Sequence, residues 1–272
     1  ATLSLLKAGC TIPFISRYRK EATGNLNEVQ ITAIDDLATQ LDEVQKRKET
    51  ILKTIEAQGK LTDELRRRIE ASWDATELED LYMPYKPRRR TRAQVAREQG
   101  LEPLATLLLL QREQSPSTAA RRFINADVPD TAAALHGAQD IIGENISEDE
   151  RSRQLVRQAF ARQAVITARV IEKKRHDDGA QKFADYFSFS EDLRRCSSHR
   201  LLAMRRGEQE GYLRVAITID DDACISRLQR LHVHGTGPCQ KWVNEAVADA
   251  YSRLLRPSIE NEFAAQSKTK AD

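Results

Sequence analysis

Between Asn27 and Gly59 the apolar residues Ile31, Ile34, Leu37, Leu41, Val44, Ile51 and Ile55 return at intervals of three and four. That spacing gathers them on one side of an α-helix. Asn27 suits the N-cap, where its side chain can accept from a free backbone N–H, and Gly59 suits the left-handed residue that stops a helix. About 30 residues at 1.5 Å each make a rod of about 45 Å. This is longer than a compact domain requires, and the other faces are charged, so the helix is expected to brace several shorter ones.

The flanking segments read as helices too. Thr62 caps the next, with Asp63 and Glu64 in its first turn and Leu65, Ile69 and Trp73 on one face. Thr91 is placed to cap a helix ending at Gly100, Pro103 to open one through the leucines of 107–110, and Ser115-Pro116 to start another. Connections this short suit antiparallel or angled helical neighbours. Ser147 and Glu150 match a capping box and predict a second long helix through Leu155, Val156, Phe160, Val165, Ile166 and Val170 towards Lys174. Period-two alternation is found in one place, where Leu213, Val215, Ile217 and Ile219 alternate with Arg214, Ala216 and Thr218. Gly237-Pro238 opens a last helix through Trp242, Val243, Val247 and Tyr251. The expected fold is mainly α, an elongated multi-helix array with one small β element near 212–220. Two regions are expected: 1–110, with the long helix and a basic loop, and 111–272, with the β element.

Composition excludes several classes. A chain of 272 residues can bury a core without disulfides or metal, and 6% aromatic against 31% charged residues disfavours an all-β fold. The longest aliphatic run, 107–110, is far short of the ~20 residues of a membrane span. Cys10, Cys196, Cys224 and Cys239 form no CxxC pair, which points to a reducing cytoplasm. The 43 Lys and Arg nearly balance the 41 Asp and Glu, so only local clustering can mark a polyanion-binding surface.

Such clustering is present. Residues 86–97 hold six cations, Lys86, Arg88, Arg89, Arg90, Arg92 and Arg97, and no carboxylate. Pro84 and Pro87 keep the segment extended, and a helix beginning near Thr91 would offer free backbone N–H groups beside the guanidinium groups. Six duplex phosphate contacts would give a salt slope of about −5, at roughly −0.9 each. Equally open is an arginine loop neutralised by Glu77, Glu79 and Asp80. A second stretch, 194–206, carries Arg194, Arg195, Arg200, Arg205 and Arg206 without an acid. A third, Arg17, Arg19 and Lys20, encloses Tyr18, which would suit a single-stranded nucleic acid if its ring were free to stack. Packing against a helix is the preferred reading of that tyrosine.

Catalytic and metal chemistry find little support. His232, His234, Cys239 and Cys224 are donors zinc accepts, but paired CxxC or HxxxH spacing is missing. Asp220, Asp221 and Asp222 could meet magnesium at a strand end, yet no second acidic cluster completes a two-metal site. No phosphate-binding GxxxxGK[ST] and no GxSxG nucleophile motif is present, so the chain is expected to be no enzyme and to need no cofactor.

Two strings carry a resemblance. Thr11-Ile12-Pro13-Phe14-Ile15-Ser16-Arg17-Tyr18-Arg19-Lys20-Glu21 and Glu79-Asp80-Leu81-Tyr82-Met83-Pro84-Tyr85-Lys86-Pro87-Arg88-Arg89-Arg90-Thr91-Arg92 resemble the N-terminal motifs of the Tex family of bacterial transcription accessory proteins. Lys182-Phe183-Ala184-Asp185-Tyr186-Phe187, Ser198-His199-Arg200 and Leu254-Leu255-Arg256-Pro257-Ser258-Ile259-Glu260 resemble it as well, so the likeness runs nearly end to end. The resemblance implies a helical N-terminal region with a helix-turn-helix-like element, followed in the family by a YqgF (RNase H-like) domain, helix-hairpin-helix motifs and an OB-type RNA-binding domain. It also implies a cytoplasmic protein related to a eukaryotic elongation factor. No GLDPG-type strand follows Glu262, so the chain is expected to stop before the YqgF domain. The resulting expectation is a module that binds, or assists binding of, RNA or DNA along the phosphate backbone, through Lys86, Arg88, Arg89, Arg90, Arg92, Arg17, Arg19 and Lys20. Its partners would be nucleic acid, the transcription machinery and the remaining domains of the full-length protein. The alternative is an interaction scaffold that positions those domains without touching nucleic acid.

Overall fold

The computed structural model describes residues 1–86 and 90–271, and of 268–271 the backbone alone. The chain is mainly α and divides into two compact units, Ala1–Pro87 and Arg88–Asp272.

In the first unit α1 (Thr2–Lys7), α2 (Ile12–Tyr18) and α3 (Lys20–Thr23) precede the long helix α4 (Glu28–Ala57), and α5 (Asp63–Ala71) and α6 (Ala75–Tyr82) follow it. The long helix starts as its sequence requires. Asn27 Oδ1 accepts from the Gln30 N–H at 2.9 Å, while Gln30 Oε1 accepts from the Asn27 N–H at 3.0 Å, a reciprocal capping box. It ends at Gly59, whose φ of +66° favours glycine. Ile51 and Ile55 on α4 are buried with Ile69 on α5 and with Leu78, Leu81 and Tyr82 on α6. Near the other end α1 and α2 pack on α4, with Ile15 and Ile31 fully buried.

The second unit opens with α7 (Arg92–Glu98), capped by Thr91, α8 (Glu102–Leu110) and α9 (Pro116–Ala120), which surround α10 (Thr131–Glu148). Its centre is α10, where small residues such as Ala134, Ala138 and Gly143 let neighbouring helices approach. Leu104 and Leu108 of α8 enter the same core as Leu135, Ile141 and Ile142 of α10. Each such side chain contributes about 1.5–3 kcal/mol by leaving water. The boundary expected at 110/111 falls inside this unit, just after α8.

The helix expected from Ser147 to Lys174 does not form. Ser147 lies within α10, Asp149 caps α11 (Glu150–Gln163) through its Oδ2 and the Ser152 N–H at 2.8 Å, and Val165–Val170 is strand β1. Two causes are visible. Asp149 supplies a carboxylate two residues closer to the helix it starts, and Val165, Ile166, Thr167 and Val170 are β-branched residues stiff at χ1. Ile166, Ala168 and Val170 are buried while Arg169 points out, the alternation of a half-buried strand.

The expected single β element is thus the edge of a three-stranded sheet. β2 (Ser188–Asp192) and β3 (Leu213–Thr218) flank β1 in the order β2-β1-β3, both antiparallel to it, with Ala168 opposite Phe189 on one side and Val215 on the other. The short α12 (Asp178–Gln181) lies between β1 and β2, and α13 (Ser198–Gln209) packs on β3. Ile166, Val170, Phe183, Met204 and Leu213 form a small second core there. The chain then returns to the helical core through α14 (Asp221–His232), α15 (Cys239–Asp249) and α16 (Arg256–Ala271). One π-helical turn, Ala250–Leu255, joins the last two. It brings Tyr251 and Arg256 onto Asp221, each donating to that carboxylate at 2.6 Å. No described helix is long and apolar enough to cross a membrane.

Candidate nucleic-acid interface

The cationic residues singled out in the sequence meet very different fates. On α2, Pro13 occupies the first turn, and Ile15 and Ser16 turn inward. Phe14 and Tyr18, four residues apart, therefore share the outer face. Tyr18 is 71% exposed and Phe14 39%, their ring centroids 5.5 Å apart and tilted by 40°. The packing role preferred for Tyr18 is overturned by that exposure. The helix breaks at Arg19, whose guanidinium carbon lies 5.7 Å from the Phe14 ring centroid, and α3 resumes at Lys20. Arg17, Arg19 and Lys20 are all exposed. Arg17 reaches Glu28 only at 3.8 Å, in a pair open to water on both sides. Screening leaves such a pair worth little, so Arg17 stays free for a better anion.

The basic loop is divided between the units. Lys86, exposed, closes the first unit. Arg88 and Arg89 lie outside the described residues. Arg90 opens the second unit and is already committed: its Nη2 donates to Glu98 at 2.6 Å and its Nε to the same oxygen at 3.2 Å. These bonds hold the Glu98 carboxyl below its ordinary range. Arg92 is exposed at the start of α7 and lines a cleft of about 450 Å³ with His136, Gln139, Asp140, Glu245 and Asp249. Burial raises the Asp140 carboxyl above its usual pKa, and the Arg253 and Arg92 guanidinium groups oppose that rise. Arg97, the sixth cation of the loop, is consumed internally by Glu102 at 2.9 Å, by Glu144 and by Asn145.

The second basic stretch is almost wholly neutralised. Arg194 pairs with Asp192, Arg200 with Glu191, Arg205 with Glu208 and Arg206 with Glu210, each at 2.8 or 2.9 Å. Arg194 pulls the Asp192 carboxyl down to about 2 through side-chain and backbone hydrogen bonds. An acid-free run of sequence is here not an acid-free surface, because β2 and the end of α13 supply the carboxylates.

Several of the residues weighed for catalysis or metal are occupied in caps and hydrogen bonds, while Asp222 and His234 are exposed. Asp220 caps α14 through the Ala223 N–H at 3.0 Å, and Asp221 holds Tyr251 and Arg256. Cys239 Sγ donates to the Glu113 carbonyl at 3.3 Å, and all four cysteines are free thiols. His232 Nε2 lies 2.6 Å from Ser152 Oγ, which donates at 2.8 Å to Asp149. Ser152 is fully buried, and His232 and Asp149 are half-buried. Among the described residues no group of three or more His, Cys, Asp or Glu could hold a metal ion.

Phe14 stands within the first motif, yet its part in the exposed pair becomes visible only once α2 is seen to bury Ile15. The i, i+4 spacing with Tyr18 was the available signal.

The structure is thus a mainly helical chain with a small sheet, in which exposed cations stand beside exposed aromatic rings on α2. Residues 1–56 match the family profile described as Tex-like protein N-terminal domain, and residues 111–272 the one described as Tex central region-like. The chain belongs to the Tex family. It is 40% identical over 280 residues to the transcriptional accessory protein Tex of Neisseria gonorrhoeae, covering all of this chain and 36% of that protein. It is 46% identical over 222 residues to protein YhgF of Escherichia coli, covering 81% of this chain and 28% of the relative. The human S1 RNA-binding domain-containing protein 1 is 28% identical over 277 residues, 96% of this chain and 28% of its own length. The chain thus spans about a third of the length of the relatives it matches.

Proposed function

We infer that this chain is a non-catalytic nucleic-acid-binding module of a transcription accessory protein, working in the cytoplasm with the rest of a longer protein. One observation carries the reading: the solvent-facing Phe14–Tyr18 pair with Arg17, Arg19 and Lys20 at its edge. A base can stack on an open aromatic face whatever its identity, while adjacent cations take the backbone phosphates, so a single strand is favoured over a duplex. Lys86 of the first unit and Arg92 of the second are exposed and are each proposed as further phosphate contacts, as Arg88 and Arg89 are on sequence alone. Arg90 would join only by leaving Glu98. Membership of a family with a transcriptional accessory protein and an S1 RNA-binding domain-containing protein supports the same reading.

An interaction scaffold is the second reading, favoured by the internal pairing of Arg97, Arg194, Arg200, Arg205 and Arg206. Substitution of Tyr18 by Ala separates the two. Because its side chain is mostly in water, the fold should be unaffected. Stacking is worth about 1–3 kcal/mol per base, so binding of a labelled single-stranded oligonucleotide, RNA or DNA, should weaken about fivefold or more while duplex binding stays nearly constant. Unchanged single-strand binding would favour the scaffold.

A further inference from the structure

From its start towards its middle, α4 presents an apolar stripe that the first unit leaves uncovered as far as Leu41, Val44 being half-buried against the core. Val29, Ala33, Leu37 and Leu41 follow one another at four-residue steps and Val44 continues the line, about 23 Å of helix at 1.5 Å per residue. Val29 is 77% exposed, Leu37 56% and Leu41 39%. Single exposed leucines are ordinary, but a continuous row is not. The row ends in a groove of about 470 Å³ whose far wall is Trp73, itself 54% exposed. That wall is fixed in place: Lys48 Nζ, buried, sits 3.7 Å from the Trp73 ring centroid and donates to the Glu70 carbonyl at 2.9 Å. A pocket already held in its binding shape saves a partner the entropy of ordering it.

The charge around the stripe is one-sided. Residues 28–43 contain Glu28, Asp35, Asp36, Asp42 and Glu43 and no Lys or Arg. Asp36 and Glu43, two turns apart, share one flank of the stripe, and Glu43 lines the groove. Among the described residues Asp35, Asp36, Asp42 and Glu43 meet no cation within ion-pair distance. Arg47, at the far end, is held bidentately by Glu79 at 2.6 and 3.0 Å and adds no free positive charge.

We propose that this groove docks a basic amphipathic helix of another protein. Its apolar face lies on Leu37, Leu41 and Trp73, and its Lys or Arg residues lie over Asp36 and Glu43. A helix fits because the apolar row runs along the axis of α4 at helical spacing, so i, i+4 anchors can interdigitate with it. A second copy of this chain fits poorly, since a self-complementary contact would set one acidic border against another. The groove is lined by no residue of α2, and the proposal does not depend on nucleic-acid binding.

The probe is a fluorescein-labelled peptide of about 18 residues of Leu and Lys with Leu at helical spacing, beside a counterpart carrying Glu for every Lys. A W242F chain leaves Trp73 as the sole tryptophan and therefore as the reporter. The Lys peptide should bind at least about tenfold more tightly than the Glu peptide, and should shift Trp73 emission to the blue. L37D/L41D should weaken binding about tenfold or more, and D36K/E43K should invert the preference between the peptides. If L37D/L41D proves unfolded by circular dichroism, the charge inversion and the Trp73 shift still decide the matter. Equal binding of the two peptides, no binding of either, an unmoved Trp73 spectrum, or a dimer in sedimentation that L37D/L41D dissociates would each overturn the proposal.

Discussion

An arginine is useful to a phosphate only if it is not already satisfied, and the residues of this chain sort on that criterion. Arg97 and the arginines of 194–206 sit within hydrogen-bond reach of carboxylates, Arg195 excepted, whereas Arg19, Lys20, Lys86 and Arg92 stand exposed. Sequence counts could not separate these groups, because the neutralising acids come from other turns and strands. His232 carries a residue-scale consequence of a different kind. Burial pushes its imidazole below the ordinary pKa, His234 adds to this, and the Asp149 carboxylate opposes it. A histidine depressed in the folded state binds fewer protons there than in the unfolded chain, so stability is full above about pH 6.5 and is lost as the pH falls towards the folded value. Urea unfolding compared at pH 7.5 and pH 5 should show that loss in the wild type, and a smaller loss in H232Q. An equal loss in both would remove His232 from the account.

At the scale of elements, α4 was fully legible. Its cap, its stop and its apolar spacing agree with one another: Asn27 is the N-cap the sequence calls for, and the reciprocal bond from Gln30 is added by the structure. The helix α10 was not, because Ala134, Ala138 and Gly143 and the polar Glu144 and Ser147 break up its buried face, which weakens the periodic signal of Leu135, Ile141, Ile142 and Ile146. β1 was missed because a run such as Val165-Ile166-Thr167 is apolar enough to continue a helix on paper; only its pairing with both β2 and β3 makes it a strand. The packing of α13 on that sheet is tight at Gly207, where an added Cβ would lie 2.7 Å from Leu213 Cδ1 and 3.1 Å from Phe183 Cδ1. Alanine is favoured in a helix by about 1 kcal/mol, but overpacking costs about 1–3 kcal/mol. G207A should therefore lower the unfolding free energy by on the order of 1 kcal/mol in urea titration. G237A, where nothing lies within 4 Å, serves as its control and should be nearly neutral. A G207A protein as stable as G237A would mean that the sheet yields more readily than its packing implies.

For the whole molecule, family membership followed from motifs lying in both units, and the mainly α architecture followed from periodicity. The proposed interface was only half legible: the motif around Tyr18 stood out, but its exposure depended on which way α2 turned. The basic loop, the more conspicuous feature in sequence, is spread over two units and partly paired, so the weight of the account moves to α2. The most direct test is the salt dependence of single-stranded RNA binding, as the slope of log K against log salt, for the wild type and for R17A/R19A/K20A. Each lost single-strand phosphate contact removes about 0.7 from the slope, so the triple variant should be shallower by about 2. Equal slopes, or no binding by the wild type even at low salt, would contradict a nucleic-acid interface on α2.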